Sequence, residues 1–439
     1  MIRNRRRPAA VVAGVAVSTL VLAACGSSGD SAEDANTLTF LVDNTELSVD
    51  LAEALASAFE AQNEGVDVQV ETRPQGGEGD NVVKTRLSTG DMADVFQYNS
   101  GSLLQALNPA ETLVPVTDQP FVDNLEDVFR QAVTIDGEVY GAPFGTAMGG
   151  GVLYNRAVYE QLGLEVPQTW DEFMANNAAI EEAGITPVIQ TYGPDATWTS
   201  QLPVLGDFHN VAAEEPDFAE QWTAGEAKFA STPAAAAGFE HLQEIHEAGY
   251  QNEDFASAGY SDGLEMLASG EGAHYPMLTF AVPEIVAQFP DQAQDVGFFA
   301  LPGDDAATNG LTVWAPAGVY VPVTTEGDKR ELAMDFLGFI ASPEGCDAMT
   351  EVASPAGPYL VEGCTLPEDV PQAVQDLQSY FEEDGRTTPA LEFVSPVKGT
   401  SLEQITVEVG SGIRSAQDAA ALYDEDAKKQ AQQLGIEGW

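Results

Sequence analysis

The chain is poor in the residues that most often do chemistry. It has three cysteines and four histidines among 439 residues. His241 and His246 are five positions apart, whereas two metal ligands on one helical face are usually four apart. His209 and His274 are isolated, and the common zinc-protease, nucleophile-elbow and phosphate-loop motifs are absent. The sequence therefore predicts no catalytic residues, no metal site and no cofactor.

Basic residues are also scarce. The chain has 17 lysines and arginines against 70 aspartates and glutamates, a formal net charge of −53. Such a surface repels phosphate backbones, so we expect no nucleic-acid partner. Solubility in a salty or acidic habitat is the simpler interpretation of the acidic excess. Attraction of a cationic ligand stays open as the second interpretation.

Long hydrophobic runs are absent except at the N-terminus. There the basic segment Met1–Pro8 precedes the apolar segment Ala9–Val21, which is shorter than the ~20 residues of a spanning helix. With small residues leading into Cys25, this segment resembles the signal of bacterial lipoproteins, which is cut before a lipid-bearing cysteine. Residues 1–24 are therefore predicted to be a signal peptide and residues 25–36 a flexible tether. An ordinary secretory signal is the alternative.

The two remaining cysteines are Cys346 and Cys364. An exported chain lies in an oxidising compartment, so this pair is predicted to form a disulfide. Closing a loop of that length contributes roughly 3 kcal/mol to stability. Two free thiols are the alternative.

The region after the tether alternates strand and helix patterns. Leu38–Val42 is typical of a buried strand, and Ser48 is a candidate cap for the helix that follows. Val66–Val70 alternates with strand period, a second helix ends at Gly90, and Asp94–Phe96 begins a third strand. This order predicts an α/β fold with an open parallel sheet.

Polar side chains follow two of these strands. Asn44 and Glu46 come after the first strand, and Gln97 and Asn99 lie at the end of the third. Ligands of such sheets bind beyond the carboxyl ends of the strands, so these four residues are predicted to bind ligand. Ordinary turn chemistry is the alternative for the two asparagines.

Four segments of the chain form an ordered pattern: Leu87–Phe96, residues 140–187, Met266–Tyr275 and Ala333–Ile340. In order and spacing they resemble the extracellular solute-binding proteins of ABC importers, in the sugar-binding family 1 that includes maltose-binding protein. Two positions depart from the family pattern: Ala93 stands where proline is usual, and His274 stands where methionine is usual. Together the four segments span nearly the whole mature chain.

The resemblance implies two α/β lobes joined by crossing hinge segments, with a ligand cleft between them. The first lobe is expected to comprise residues 37–143 and 277–322, and the second residues 148–274 and 323–439. The expected crossings lie near Phe144–Met148, Tyr275–Thr279 and Pro316–Thr325.

Four aromatic residues are candidates for stacking on a sugar, since sugars present apolar C–H faces beside their hydroxyls. Trp198 follows a strand end where relatives place a stacking ring, and Phe280 stands where many relatives have tryptophan. Tyr192 precedes the same loop, and Trp314 fits a strand core equally well. A structural role is the alternative for each.

The resemblance implies a receptor without enzymatic activity. It would be held by lipid on the extracellular face of the bacterial cell membrane, act as a monomer, and deliver a mono- or oligosaccharide to ABC permease subunits. A cationic or other polar small solute is the main alternative. An extracellular carbohydrate-active enzyme and a sensory or adhesion lipoprotein are others, although 70 acidic residues make candidate carboxylate pairs uninformative.

Overall fold

The computed structural model describes residues 36–439 apart from Asp195 and Pro316. The predicted signal peptide, the lipid-bearing Cys25 and the tether up to residue 35 lie outside the described residues. Within the part that is described, no helix has the length and apolar character needed to cross a membrane.

Thirteen strands are present in the described part of the chain. They are β1 (Thr37–Asp43), β2 (Asp67–Arg73), β3 (Val95–Asn99), β4 (Thr134–Ile135), β5 (Glu138–Val139), β6 (Ala142–Pro143), β7 (Met148–Asn155), β8 (Thr186–Val188), β9 (Gly272–Leu278), β10 (Val296–Ala300), β11 (Leu311–Trp314), β12 (Ala317–Tyr320) and β13 (Thr387–Pro389).

The same residues form nineteen α-helices and several short 3-10 turns. The helices are α1 (Glu46–Gln62), α2 (Gly76–Thr89), α3 (Ser102–Gln105), α4 (Pro109–Thr112), α5 (Asp127–Ala132), α6 (Arg156–Leu162), α7 (Trp170–Glu182), α8 (Leu202–Leu205), α9 (Phe208–Glu214), α10 (Phe218–Thr223), α11 (Pro233–Ala248), α12 (Tyr260–Ser269), α13 (Ala281–Gln288), α14 (Gly327–Ile340), α15 (Pro343–Thr350), α16 (Gln372–Phe381), α17 (Leu391–Val394), α18 (Leu402–Gly410) and α19 (Ala416–Leu434).

The first sheet has five strands in the order β2-β1-β3-β12-β6. Strand β1 pairs in parallel with β2 and β3, which confirms the predicted parallel sheet. On the far side of β3, strand β12 runs antiparallel to both β3 and β6. Helix α1 buries Leu51, Leu55 and Phe59 on one face, as its spacing predicts. Its cap is Thr45 and not Ser48, since the Thr45 side chain accepts the backbone N–H of Ser48.

The second sheet is centred on β7. Strand β9 pairs with one edge of β7, and the other edge is shared by β11 along residues 148–150 and by β10 along residues 151–155. Strands β8 and β13 complete this sheet at its two sides. Two α/β lobes result, as the resemblance implied.

The lobe boundaries differ from the expected ones. Strands β10 and β11 were expected in the first lobe but belong to the second sheet, because the open edge of β7 is their pairing partner. Helices α14 and α15 were expected in the second lobe but pack on the first. Phe336 of α14 lies 5.6 Å from Phe40 and 5.1 Å from Phe59 between ring centroids.

By sheet membership the first lobe therefore comprises residues 36–143 and 317–364, and the second residues 148–314 and 372–439. The chain crosses between the lobes at 144–147, between Trp314 and Ala317, and again at 365–371.

The predicted disulfide between Cys346 and Cys364 is present, and its two positions are 18 residues apart. The loop that it closes contacts the first crossing. Pro358 O accepts the backbone N–H of Ala147 at 2.8 Å, and Thr146 Oγ1 accepts that of Ala356 at 3.2 Å. The disulfide thus fixes to the first lobe a segment that also supports the hinge.

The histidines are largely packed structural groups. His274 lies in β9 with Tyr159 Oη 2.6 Å from Nε2 and Asn177 Oδ1 2.8 Å from Nδ1, and burial lowers its pKa to about 3. His241 stacks on Trp170, with ring centroids 3.6 Å apart. In the described chain no group of three or more His, Cys, Asp or Glu residues is arranged to hold a metal ion.

Candidate ligand cleft

The first wall of the cleft is formed by the carboxyl ends of β1, β2 and β3. These ends meet at one edge of the sheet because the three strands run parallel. Asn44 and Asn99 are exposed there, whereas Gln97 is only 5% exposed. The structure thus brings three of the four predicted polar residues to one edge.

Arg73 ends β2 behind this wall and is also only 5% exposed. Its Nη2 donates to Gln97 Oε1 at 3.1 Å and to Gln97 O at 3.3 Å, and its Nη1 donates to Pro74 O at 3.1 Å. The guanidinium carbon lies 5.6 Å from the centre of the Tyr98 ring. A charged donor is therefore held directly against the predicted site residue Gln97.

Glu46 is exposed in the first turn of α1. Just before it, the Asp43 carboxylate accepts the backbone N–H of Thr45 at 2.9 Å and the hydroxyl of Ser48 at 3.0 Å. A negative charge in the first helical turn also has a local role, because it complements the helix dipole. Glu46 therefore lies at the edge of the wall, and stabilising the N-terminus of α1 is an alternative role for it.

The second wall is a cluster of three aromatic rings, Trp198, Tyr260 and Phe280. The Trp198 ring lies 5.7 Å from each of the other two, and Tyr260 lies 6.2 Å from Phe280. All three side chains are half-buried, so each leaves some surface available for contact. Two of these rings were predicted as ligand contacts.

Trp198 is held by the short 3-10 turn Thr197–Gln201, which is bound to α18. Ser200 Oγ donates to Glu403 O at 3.0 Å and lies 2.8 Å from Thr406 Oγ1. The Thr197 hydroxyl donates to the Glu403 carboxylate. These bonds on both sides of Trp198 fix its backbone, so the ring has a preset position.

The floor of the cleft joins the two lobes. Trp314 Nε1 donates to Glu392 Oε1 at 2.6 Å, and Glu392 forms an ion pair with Lys398. The indole of Trp314 lies directly over Gly150, where a Cβ atom would come within 2.2 Å of the ring. Glycine at that position is therefore required for the tryptophan to lie flat on β7.

The first lobe contacts this floor through the end of β3. Ser100 Oγ donates to Ala315 O at 2.5 Å. A Cβ atom on Gly101 would approach Glu392 O to 2.9 Å and the Phe393 backbone to 2.6 Å. The end of β3 thus connects the first wall to the floor of the candidate cleft.

The arrangement of two α/β lobes agrees with the comparison against known families. The family model described as bacterial extracellular solute-binding protein matches residues 45–345. The chain belongs to this family.

Named relatives of this chain are also solute-binding proteins. The multiple sugar-binding protein of Streptococcus mutans is 27% identical over 311 residues, covering 69% of this chain and 70% of the relative. The melibiose/raffinose/stachyose-binding protein MelE of Bacillus subtilis is 25% identical over 357 residues, covering 77% and 78%. The solved structure of the solute-binding protein RafE in complex with raffinose shares the fold, with a TM-score of 0.69 at 22% identity, covering 90% of this chain and 99% of RafE.

In this solute-binding protein the structure does not place Tyr192 with the three clustered rings. Tyr192 is 5% exposed and packs edge-on against Phe255, with ring centroids 5.7 Å apart. Its hydroxyl lies against the backbone of Gly410, where a Cβ atom would be 2.1 Å away. Tyr192 therefore supports the base of the loop that carries Trp198 and lies beneath the cleft surface.

Tyr260 was missed by sequence reasoning. It is the first residue of α12, and the preceding Gly259 donates its backbone N–H to Asp262 at 2.8 Å. Burial raises the pKa of Tyr260, and the carboxylate of Glu284 raises it further, so the phenol keeps its proton. An aromatic residue directly after a helix cap, six positions before the recognised Met266–Tyr275 segment, was the available signal.

Proposed function

We propose that this protein captures a mono- or oligosaccharide between its lobes and delivers it to the permease of an ABC importer. The protein would hold the solute without covalent chemistry. It would act as a monomer on the extracellular face of the cell membrane.

The cluster of Trp198, Tyr260 and Phe280 carries this proposal. Half-buried rings that share one surface suit the apolar C–H faces of a pyranose. The opposite wall supplies the amides of Gln97 and Asn99, which can donate to and accept from sugar hydroxyls. A small number of placed polar groups beside an aromatic surface is the usual composition of a small-molecule site.

The relatives support the same class of solute. All three are named as binding proteins, and each name or title mentions a sugar. We therefore place melibiose, raffinose and stachyose among the first sugars to test.

Closure of the cleft provides the mechanism of capture. In the described part of the chain three short segments join the lobes, and hinge motions commonly occur at a few such residues. A sugar that contacts both walls has contacts in the closed state that the open state lacks, so it shifts the population towards closure. The permease would then recognise the surface formed by the two closed lobes.

We also propose that lipid on Cys25 holds the protein at the membrane. The sequence around this cysteine supports the anchor, and residues 25–36 are long enough to act as a tether. Cells grown with labelled palmitate are expected to label the wild-type protein and not the Cys25→Ser variant. Equal labelling of both proteins would rule out Cys25 as the lipid site.

A thermal-shift screen of residues 26–439 tests the choice of solute. A ligand that binds only the folded state raises the melting temperature by mass action. We expect a rise with one or more neutral sugars and none with polyamines. A rise with polyamines alone would identify a cationic solute, and hydrolysis of a glycan would identify an enzyme; either result contradicts the proposal.

A further inference from the structure

We infer that Arg73 fixes the orientation of the Gln97 amide, so that the first wall offers its N–H donors to an acceptor oxygen of the solute. This inference rests on the proposed function, because it specifies how the same cleft selects its sugar. Arg73 acts here as a positioning residue, and Gln97 is the group that touches the solute.

The environment of Arg73 is unusual for a charged side chain. It is the one lysine or arginine of the described chain that is buried, at 5% exposure. Across residues 36–439 without Asp195 and Pro316, no carboxylate oxygen lies within 4.0 Å of its guanidinium. Burying an unpaired cation costs free energy, so the hydrogen bonds that Arg73 donates must offset this cost.

Those contacts are concentrated on Gln97. Arg73 Nη2 donates both to the side-chain Oε1 and to the backbone O of this one residue. Arginine is a donor only, so the amide atom that faces it must be the oxygen. A charged donor strengthens this bond, and the amide cannot rotate without losing it.

The amide nitrogen of Gln97 consequently points away from Arg73. In the described part of the chain Nε2 has no hydrogen-bond partner, and it is not among the fully buried polar atoms that lack one. The nitrogen is therefore not completely enclosed, although the residue is almost buried. The fixed amide therefore carries two N–H donors that no group in the described part of the chain uses.

The direction in which these donors face is set by the strand. Gln97 and Asn99 are two positions apart in β3, so their side chains lie on the same face of the sheet. The next residue, Ser100, contacts the cleft floor at Ala315. The N–H groups of Gln97 thus lie on the same face of the sheet as the exposed Asn99.

This geometry sets a chemical requirement for the solute. The group that meets Gln97 must accept hydrogen bonds, as a hydroxyl, ring or glycosidic oxygen does. A protonated amine cannot accept, and it would face the guanidinium behind the amide. The first wall therefore selects neutral sugars and disfavours cations, despite the acidic surface of the molecule.

Gln97→Glu tests the inference, because glutamate keeps an acceptor oxygen for Arg73, replaces the N–H donors by a second acceptor oxygen and adds one negative charge. Gln69→Glu is the matched control, since it adds the same charge at an exposed position of the same lobe. With raffinose as the first probe in calorimetry, we expect Gln97→Glu to bind at least tenfold more weakly than Gln69→Glu. Equal affinities, in variants that both melt as folded proteins, would overturn the inference.

Gln97→Leu provides a second variant in case glutamate prevents folding, and the same tenfold loss is expected. A measurement without sugar separates this inference from the proposed function. The side-chain NH2 signal of Gln97 in a ¹⁵N spectrum, identified by its loss in either variant, is expected to exchange rapidly with water. Slow exchange would show an inward, bonded nitrogen and overturn the inference, whereas silence across the sugar panel would contradict only the proposed function.

Discussion

The two walls of the cleft are built from different parts of the α/β fold. The first wall consists of strand ends, whose polar side chains are backed by the buried guanidinium of Arg73. The second wall consists of aromatic rings on a 3-10 turn and at helix N-termini. The first wall is suited to hydroxyl groups and the second to C–H faces, so we expect a sugar to contact both walls only when the two lobes enclose it.

The lobes also differ in what stabilises them. The first lobe carries the disulfide between Cys346 and Cys364. The second lobe contains the buried carboxyl of Asp207 and three buried histidines, His209, His241 and His274. Redox conditions should therefore act on the first lobe and pH on the second, which allows the two to be perturbed separately.

The largest effect is expected from removing the disulfide. Replacing Cys346 and Cys364 together by serine should lower the free energy of unfolding by about 3 kcal/mol, because the unfolded chain regains the freedom of the open loop. Calorimetric melting measures this loss. Wild-type protein in a thiol reductant should show a matching decrease, and an unchanged melting temperature in both experiments would contradict a stabilising role.

Trp198→Ala should weaken sugar binding by about 2 kcal/mol, roughly 30-fold, since truncation removes one ring of the aromatic wall. Titration calorimetry with the sugar that stabilises the wild-type protein measures the change. Trp439→Ala is the matched control, because Trp439 packs on Trp222 in the second lobe, outside the cleft. Equal losses in both variants would show a general effect of losing a tryptophan and would remove the second wall from the site.

Asp207→Asn should stabilise the protein in a pH-dependent way. Burial raises the pKa of Asp207 to about 8, and the hydrogen bond from Asn210 at 2.7 Å only partly offsets this. Above its usual pKa of about 4 the carboxyl ionises in the unfolded chain and not in the folded one, so stability falls as pH rises to about 8. Asparagine keeps the acceptor and cannot ionise.

The stabilisation by Asp207→Asn should therefore be near zero at pH 4 and increase steadily up to about pH 8. Melting temperatures of the two proteins at several pH values give the comparison. A difference that is constant with pH would mean that the carboxyl titrates normally in the folded protein.

The smallest effect is expected for Asn99→Ala. This side chain is exposed on the first wall, so its loss should remove one solute hydrogen bond, or about 1 kcal/mol of binding. Asn124→Ala, at an exposed position elsewhere on the same lobe, should leave affinity unchanged. A loss in the control variant as large as that of Asn99→Ala would count against a contact at Asn99.

Local features of the fold were predictable because they depend on neighbouring residues. Alternation and runs of apolar residues indicated β1, β2 and β3. As predicted, Gly90 ends α2, with the left-handed φ of 74° that favours glycine. These signals are properties of short segments, so sequence alone was sufficient.

The lobe boundaries were not predictable in the same way. Strands β10 and β11 join the second sheet through pairing with β7, which lies about 150 residues earlier in the chain. Nothing within residues 296–314 specifies that partner. Helix α14 likewise belongs to the first lobe because Phe336 completes a core formed by Phe40 and Phe59.

The sequence predicted the types of residue in the candidate site, but it identified only some of the residues that form it. Trp198 and Phe280 were identified by their positions in a recognised pattern, and the structure clusters them. Tyr260 was missed because it meets Trp198 only through the tertiary fold. The burial of Tyr192 against Phe255 is also a tertiary contact, so the sequence did not indicate it. Arg73 was missed because a charged residue is normally expected in water, and its burial depends on Gln97.

A crystal structure of the protein with its best-binding sugar tests the central claim most directly. We expect one sugar molecule to contact the rings of Trp198 and Phe280 while one of its oxygens accepts a hydrogen bond from Gln97 Nε2. A sugar that touched only one wall, or lay outside the cleft, would contradict the account of two complementary walls acting on a single solute.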